Sequence, residues 1–287
     1  MIIYVVSHAA PRRWIGEVHV ESNPRLLTAA DILFLLETVL PERQDHRDVV
    51  PLVRDDPGFV EALIGDERVF QRLIGDEEMV LRVSPQLFFS VLLSRARKDL
   101  EAASYTFERR QHQRVAIFDA RQAARLIADS PVRNYLAEML ASFTKVHGFT
   151  RRVRVRKGVW HRQRFHDLDV DSLIRYANSI DEEYRFEVYR RIGDVCLFLA
   201  GVFPEYISGQ QYRFRSLAAA RLQRTLEDYE QQGRAFYALA AEHRSVRGTP
   251  LSAPLAVLAR DFPLAEKPLS FLSEHYLKVR KHTLFEM

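Results

Sequence analysis

The residues with the clearest chemical character lie in the 16-residue segment from Thr150 to Phe165, TRRVRVRKGVWHRQRF. This stretch, called here the Arg-rich segment, carries seven basic residues and no acidic residue. A guanidinium presents a planar fork of donors that matches phosphate and carboxylate oxygens, so the segment is typical of a contact with an anion. The candidate anion-binding residues are its seven cations and one indole ring: Arg151, Arg152, Arg154, Arg156, Lys157, Trp160, Arg162 and Arg164.

The charge of the remaining chain shows how concentrated this feature is. Residues 1–149 hold 19 Lys and Arg against 21 Asp and Glu, and residues 166–287 hold 16 against 17. The formal net charge of +4 therefore comes from the Arg-rich segment alone. Concentrated positive charge predicts an anionic partner, nucleic acid or another polyanion. Trp160 adds a ring on which an exposed base could stack.

Acidic residues elsewhere could instead neutralise the Arg-rich segment. Asp167, Asp169 and Asp171 follow it directly, and residues 181–183 form a second acidic group. An acidic surface on a second copy of the chain would have the same effect. A second function class therefore stays open: a helical protein-interaction or scaffold protein that self-associates into a homo-oligomer.

A third function class follows from histidine and aspartate residues beside the Arg-rich segment. His166-Asp167, with His147 or His161 before it and Asp194 after it, superficially resembles the His…His-Asp…Asp pattern of HD-type phosphohydrolases. The resemblance implies a divalent metal ion that activates water for hydrolysis. That family spreads its ligands over several helices, whereas these histidines lie close together, so Asp167 is better explained as a helix N-cap.

Other catalytic patterns are absent from the sequence, which has no G-x-x-x-x-G-K-[ST], G-x-S-x-G, H-E-x-x-H or C-x-x-C. Glu274-His275 is better explained as a polar helix face than as a pair of metal ligands. Cys196 lies in an apolar run, which predicts a buried side chain rather than a nucleophile. We therefore predict a non-catalytic binding or regulatory protein with no cofactor and no metal.

The composition indicates a helical fold. A hydrophobic fraction of 47% supports a sizeable core, and only 11 Gly in 287 residues disfavour a turn-rich β protein. We expect a mainly α, multi-helical globular protein with one or two short β-hairpin-like segments, at about 105–118 and 151–160. Two helical lobes, 1–149 and 166–287, would be joined by the Arg-rich segment at 150–165. A single continuous helical domain is the alternative.

Local signals predict where individual helices end. Thr28 is expected to cap a helix that ends near Leu40, with a surface loop over 41–56. Two copies of Leu-Ile-Gly-Asp-Glu, ten residues apart, predict a staircase of short helices in which Gly65 and Gly75 adopt the left-handed conformation.

The C-terminal part is expected to be entirely helical. Separate helices are predicted over 212–231, 234–243, 254–260 and 268–281.

A single cysteine, Cys196, allows no disulfide within the chain and favours a reducing, cytoplasmic location. The longest apolar run, from Val195 to Phe203, is far shorter than the roughly 20 residues that a membrane-spanning helix needs. We therefore expect a cytoplasmic protein that does not enter a membrane.

Overall fold

The computed structural model describes seven ranges of the chain: 27–110, 113–144, 148–156, 159–166, 168–207, 224–278 and 280–285. Within these ranges, the backbone alone is described for residues 77, 80, 81, 107–110, 113, 114, 148–156 and 159–166. Most of the described residues lie in helices, and the rest of the regular structure is two antiparallel strand pairs. The predicted class, mainly α with short β-hairpins, is confirmed.

The first part of the chain is a series of mostly short helices, each with Thr, Asp or Ser as its N-cap residue. Thr28 and Asp31 form a reciprocal capping box, and Asp56, Asp66 and Asp76 each accept a hydrogen bond from a backbone N–H of the next turn. The helices are α1 Ala29–Val39, α2 His46–Arg54, α3 Pro57–Ile64, α4 Glu67–Gly75, α5 Glu77–Arg82 and α6 Pro85–Ala102.

Two predictions for this part are wrong. The expected loop over 41–56 contains α2, whose Val50 and Val53 are buried. Burial of this apolar face outweighs the helix-breaking effect of Pro51. Gly65 has φ −79° and ψ −4°, so the chain passes from α3 to α4 through a right-handed residue instead of a left-handed one.

The two hairpins lie at the predicted places. In the first, β1 Thr106–Arg110 pairs with β2 Gln113–Ile117. In the second, β3 Gly148–Arg156 pairs with β4 Val159–His166. The second hairpin is longer than the predicted 151–160, because its strands pair over eight register positions, from Gly148 with His166 to Arg156 with Val159.

The other helices surround the second hairpin in sequence. The last turn before α10 is a 3₁₀ turn at Glu182–Tyr184, and residues 204–207 are also helical. The helices are α7 Ala120–Ala128, α8 Ser130–Ser142, α9 Val170–Asn178, α10 Arg185–Val202, α11 Leu226–Glu242, α12 Ser252–Arg260, α13 Phe262–His275 and α14 Lys281–Leu284.

The predicted break near Gly233 and the predicted helix start at Pro268 are both wrong. Helix α11 continues through Gly233, and α13 begins six residues before Pro268. Pro268 is buried, as are Ala265 and Leu269 of the same helix, so packing stabilises a helix that a proline inside it would otherwise weaken. Of the helix predicted over 212–231, residues 212–223 lie outside the described part of the chain.

A single cluster of buried hydrophobic residues runs through helices from both sides of the second hairpin. The rings of Phe143 on the N-terminal side and Phe198 on the C-terminal side are stacked with centroids 4.1 Å apart. Phe89 and Phe285 are stacked similarly at 5.7 Å. These contacts hold α6, α8 and α10 against the C-terminal end of the chain, while the division into two lobes at 150–165 stays a prediction.

Within the described ranges, no helix has both the length and the apolar composition that a bilayer crossing requires.

Candidate functional site

The Arg-rich segment forms most of the second hairpin. Strand β3 contains Arg151, Arg152, Arg154 and Arg156, while β4 contains Trp160, Arg162 and Arg164. Of the predicted anion-binding residues, only Lys157 lies outside the described part of the chain. The predicted interruption at Trp160 is wrong, because Trp160 lies inside β4, and Gly158 lies outside the described residues.

The pairing register of this hairpin brings basic residues of the two strands opposite each other. Arg152 pairs with Arg162, and Arg154 pairs with Trp160. Thr150, two positions before Arg152, pairs with Arg164. Directly opposed residues of an antiparallel pair share one face of the sheet, so these register positions gather positive charge and one indole on a single face.

An irregularity interrupts the ladder near the tip of the hairpin. The register shifts between Arg154 and Arg156, so that Arg156 pairs with Val159. A bulge of this kind changes which face the residues beyond it occupy and increases the local twist. The period-two pattern of Arg152, Arg154 and Arg156 in the sequence therefore does not carry unchanged to the tip.

The first hairpin has a similar but weaker feature. Arg109 and Arg114 are register partners, and Arg110 pairs with Gln113. This hairpin also contains an acidic residue, Glu108, opposite Val115. The first hairpin therefore has a lower density of positive charge than the second.

The base of the second hairpin is joined to described helices. Helix α8 precedes it, and here Arg191 of α10 donates to Ser142 Oγ at 2.7 Å with its guanidinium carbon 3.8 Å from the centre of the Phe143 ring. Helix α9 follows it and is capped by Asp169, which accepts from the backbone N–H of Asp171 at 3.1 Å. The hairpin is thus attached to two ordered helix ends.

Three of the acidic residues that could neutralise the Arg-rich segment already have partners elsewhere, whereas Asp167 lies outside the described residues. Asp171 is held by both Nη groups of Arg224, at 2.6 and 2.9 Å. The cap residue Asp169 also accepts from Ser172 Oγ at 2.5 Å. Glu183 lies 3.4 Å from Arg244. These carboxylates are therefore engaged within the C-terminal helices.

The residues of the phosphohydrolase-like pattern are not seen to form a metal site. His147 and Asp167 lie outside the described residues, and of His161 and His166 only the backbone is described. Asp194 is buried in α10, where its Oδ1 accepts hydrogen bonds from the hydroxyls of Tyr135 at 2.6 Å and Tyr237 at 2.9 Å. Among described residues, no group of three or more His, Cys, Asp or Glu side chains could hold a metal ion.

The Glu274-His275 pair lies at the end of α13, where both side chains are exposed. The His275 ring stacks on Phe271 with centroids 4.0 Å apart, and its Nδ1 lies 3.0 Å from the Phe271 carbonyl oxygen. This position agrees with the polar helix face inferred from the sequence.

A second region, a cavity next to a buried group of charged residues, was not predicted from the sequence. A cavity of about 330 Å³ is bordered by α3, α6, α8 and the start of α12. Tyr135 and Glu138 of α8 line it, and behind them lie Asp194 and Arg190 of α10. The one sequence signal was an acidic residue, Asp194, inside a run that is otherwise apolar.

Comparison with models of protein families, with curated proteins and with solved structures finds no match, so any indication of function comes from the chain's own residues.

Proposed function

We propose that this protein is a non-catalytic binding or regulatory protein whose Arg-rich hairpin, residues 148–166, contacts nucleic acid or another polyanion. The observation that carries the proposal is the register pairing of Arg152 with Arg162 in a segment with no acidic residue. The chemistry is charge-assisted binding of phosphate or sulfate oxygens by guanidinium groups, with no bond made or broken.

The like-charge register pair favours an external anion. Like charges directly opposite each other destabilise an antiparallel pair by several tenths of a kcal/mol or more, roughly the size of other cross-strand effects. Arg164, at the next position of the same face, adds to the repulsion. A polyanion lying along this face would offset the repulsion, because each phosphate would be attracted by arginines of both strands.

The state of the nearby carboxylates also favours an external partner. Asp169 and Asp171 follow the hairpin in sequence, and they bind their own helix end and Arg224, respectively. Glu183, in the second acidic group, lies beside Arg244. Since these carboxylates already have cationic or donor partners, they are poor candidates for compensating seven further cations.

The shape of the element suits a nucleic acid. A two-stranded antiparallel ribbon is narrow enough to enter the major groove of duplex DNA, which is about 12 Å wide. Trp160, the register partner of Arg154, provides a stacking surface if the partner is single-stranded. Single- and double-stranded forms are therefore the two nucleic acids to compare.

The test is binding of fluorescent single- and double-stranded oligonucleotides at about 50 and 200 mM salt, with heparin as the competing polyanion. Binding should weaken steeply as salt rises, because each phosphate that an arginine contacts releases counterions. The paired substitution Arg152→Ala with Arg162→Ala should lower the slope of log K against log salt by about 2.

A matched control is available in the first hairpin. Arg109→Ala with Arg114→Ala removes the other arginine register pair, and should change the slope much less. Absence of binding to all three polyanions, binding that ignores salt, or equal loss in both paired variants would contradict the proposal.

Self-association is the second candidate function, and two exposed rings favour it. Phe118 is 80% exposed and Tyr105 is 45% exposed, at the base of the first hairpin, with their ring centroids 6.2 Å apart. Paired exposed aromatic rings are typical of protein contacts. Light scattering should show an oligomer that Phe118→Ser weakens if this function holds, while a monomer at high concentration would argue against it.

A further inference from the structure

The cavity beside α8 has the size of a site for a small ligand. Its volume of about 330 Å³ is near the lower end of the range that small-molecule pockets occupy. It lies between helices from distant parts of the sequence, since α3, α6, α8 and the start of α12 all contribute side chains. The following inference does not depend on whether the Arg-rich hairpin binds a polyanion.

One wall of the cavity is apolar. Val60 and Ile64 of α3 and Leu251 next to α12 line it, together with several prolines. Val60 and Leu251 are nearly fully buried. This wall suits a short hydrocarbon chain, whose transfer from water is favourable by about 0.8 kcal/mol for each buried CH₂ group.

Arg133, the positively charged residue that lines the cavity, already has hydrogen-bond partners within the protein. Arg133 Nη1 donates to the carbonyl oxygens of Ile127 at 2.6 Å and Ala128 at 3.2 Å, and its Nη2 donates to Glu61. Glu61 also accepts from Ser130 at 3.2 Å. Because Arg133 and Glu61 compensate each other, this side of the cavity offers no unbalanced positive charge to an anionic ligand.

The carboxylate of Glu138 is differently placed. Its Oε1 lies 3.5 Å from Arg190, which is closer to Glu187, at 3.1 Å. Arg190 also interacts with the buried carboxylate of Asp194, although Arg191 adds a second positive charge on that side. Three carboxylates thus share chiefly one guanidinium, and the local charge around Glu138 is negative.

The surroundings of Glu138 also favour a bound cation, and the side chain, 43% exposed, remains accessible to one. Burial raises the pKa of Glu138 above its ordinary value, and the nearby Asp194 raises it further, while Arg190 opposes both effects. A cation placed in the cavity against Glu138 would be attracted by a carboxylate whose present partner is shared. Ser90 and Ser94 of α6 also line the cavity, and a serine hydroxyl is a hydrogen-bond acceptor.

We propose that this cavity binds a small organic cation, an aliphatic amine in its ammonium form, with the ammonium group on Glu138 and the hydrocarbon chain on the apolar wall. The shape selects a chain of modest length, and the charge selects a cation over a neutral or anionic molecule of the same length. The site is a binding site, and no covalent step takes place in it.

The test uses three probes of equal chain length that differ in charge: hexylammonium, 1-hexanol and hexanoate. Isothermal titration of the full-length protein at neutral pH should give the tightest binding for hexylammonium, with a Kd of about 1 mM or lower, in the range expected for so small a ligand. Hexanoate should bind at least about tenfold more weakly, because it meets Glu138 with the same charge.

Substitution then locates the site. Glu138→Gln should weaken hexylammonium by about tenfold and leave 1-hexanol unchanged, since a neutral amide fills the same space. Glu183→Gln is the matched control, because Glu183 pairs with Arg244 outside the cavity lining, and it should leave both affinities unchanged. The melting temperature of each variant checks that the fold is intact.

The selectivity among the three probes is measured on the unmodified protein, so it stands even if Glu138→Gln does not fold. Equal or tighter binding of hexanol or hexanoate, no binding of hexylammonium, or an unchanged affinity in a folded Glu138→Gln variant would overturn the proposal.

Discussion

A Cβ atom on Gly233 would lie 2.2 Å from Cε2 of Phe262, because α11 and the start of α13 touch there with no side chain between them. The same atom would lie 3.0 Å from Cβ of Cys196 on α10. Helices α10, α11 and α13 therefore pack closely around Gly233. The position lies between two helices predicted from the sequence, 212–231 and 234–243, but in the structure it is inside a continuous helix whose packing requires glycine.

Gly233→Ala should destabilise the protein although alanine favours helix. The gain in helix propensity is at most about 1 kcal/mol. Forcing a methyl group into a filled core costs about 1–3 kcal/mol, because Phe262 is fully buried and must move with its backbone. We expect a net loss of about 1–2 kcal/mol in the free energy of unfolding, measured by urea denaturation.

Gly75→Ala is the matched control for this substitution. No atom lies within 4 Å of a Cβ built on Gly75, which ends α4. This variant should be as stable as the wild type or slightly more stable. A Gly233→Ala variant that unfolds at the wild-type urea concentration would show that the helices separate more easily than their contact suggests.

The helix starts could be predicted because their signals are local. Thr28, Asp56, Asp66 and Asp76 each cap a helix through a backbone N–H two or three residues away, so the sequence holds both partners side by side. The errors arose where a distant contact decides the structure. Glycine at position 233 leaves the space that Phe262 occupies, which no pattern around residue 233 reveals.

The candidate site also combines features that the local sequence predicts with features that depend on the folded structure. The basic composition of the hairpin is a local property, whereas the pairing of Arg152 with Arg162 depends on where the chain turns. The hydrogen bonds from Tyr135 and Tyr237 to Asp194 join residues that are 59 and 43 positions apart. Each of these residues alone is an ordinary helix residue, so only the folded arrangement shows that they form one buried polar cluster.

Asp194→Ala should cause a large loss of stability because it removes the acceptor of the buried Tyr135 hydroxyl and leaves the Tyr237 hydroxyl only Met139 Sδ, 3.8 Å away. Each unsatisfied buried hydroxyl costs about 1–3 kcal/mol, and Arg190 also loses a nearby opposite charge. We expect a loss of about 3 kcal/mol or more in the free energy of unfolding, without a change in the urea m-value. Tyr135→Phe removes one donor only and should cost about 1 kcal/mol. A smaller effect for Asp194→Ala than for Tyr135→Phe would contradict this interpretation.

The charge of Asp194 should make the stability depend on pH. Burial raises the pKa of Asp194 above its ordinary value, although Arg190 and the two tyrosine hydroxyls lower it. A carboxyl group with a higher pKa in the folded state stabilises the fold most below about pH 4, its unfolded pKa. That contribution is lost as the pH rises through the folded pKa.

Asp194→Asn removes this titration, so the stability of the variant relative to the wild type should increase as the pH rises from about 4 to 7. Asp45→Asn is a control of opposite sign, because a hydrogen bond from Arg43 lowers the pKa of the exposed Asp45. Its relative stability should fall slightly over the same range. Urea denaturation at several pH values measures both slopes, and a flat difference for Asp194→Asn would refute the expected burial of charge.

Cys196 should react with thiol reagents only when the core opens. Its side chain is fully buried, and burial raises the pKa of the thiol to about 12. Since the thiolate is the reactive form, the folded protein offers almost no nucleophile at pH 8, whereas an unfolded cysteine has a pKa of about 8.5. Labelling of the native protein should therefore follow unfolding, with full reaction in urea.

Gly233→Ala should speed up native labelling because the substitution strains the contact beside Cys196, and Gly75→Ala should not. Rapid and complete labelling of the unmodified native protein would show that the region where α10, α11 and α13 meet is open to solvent.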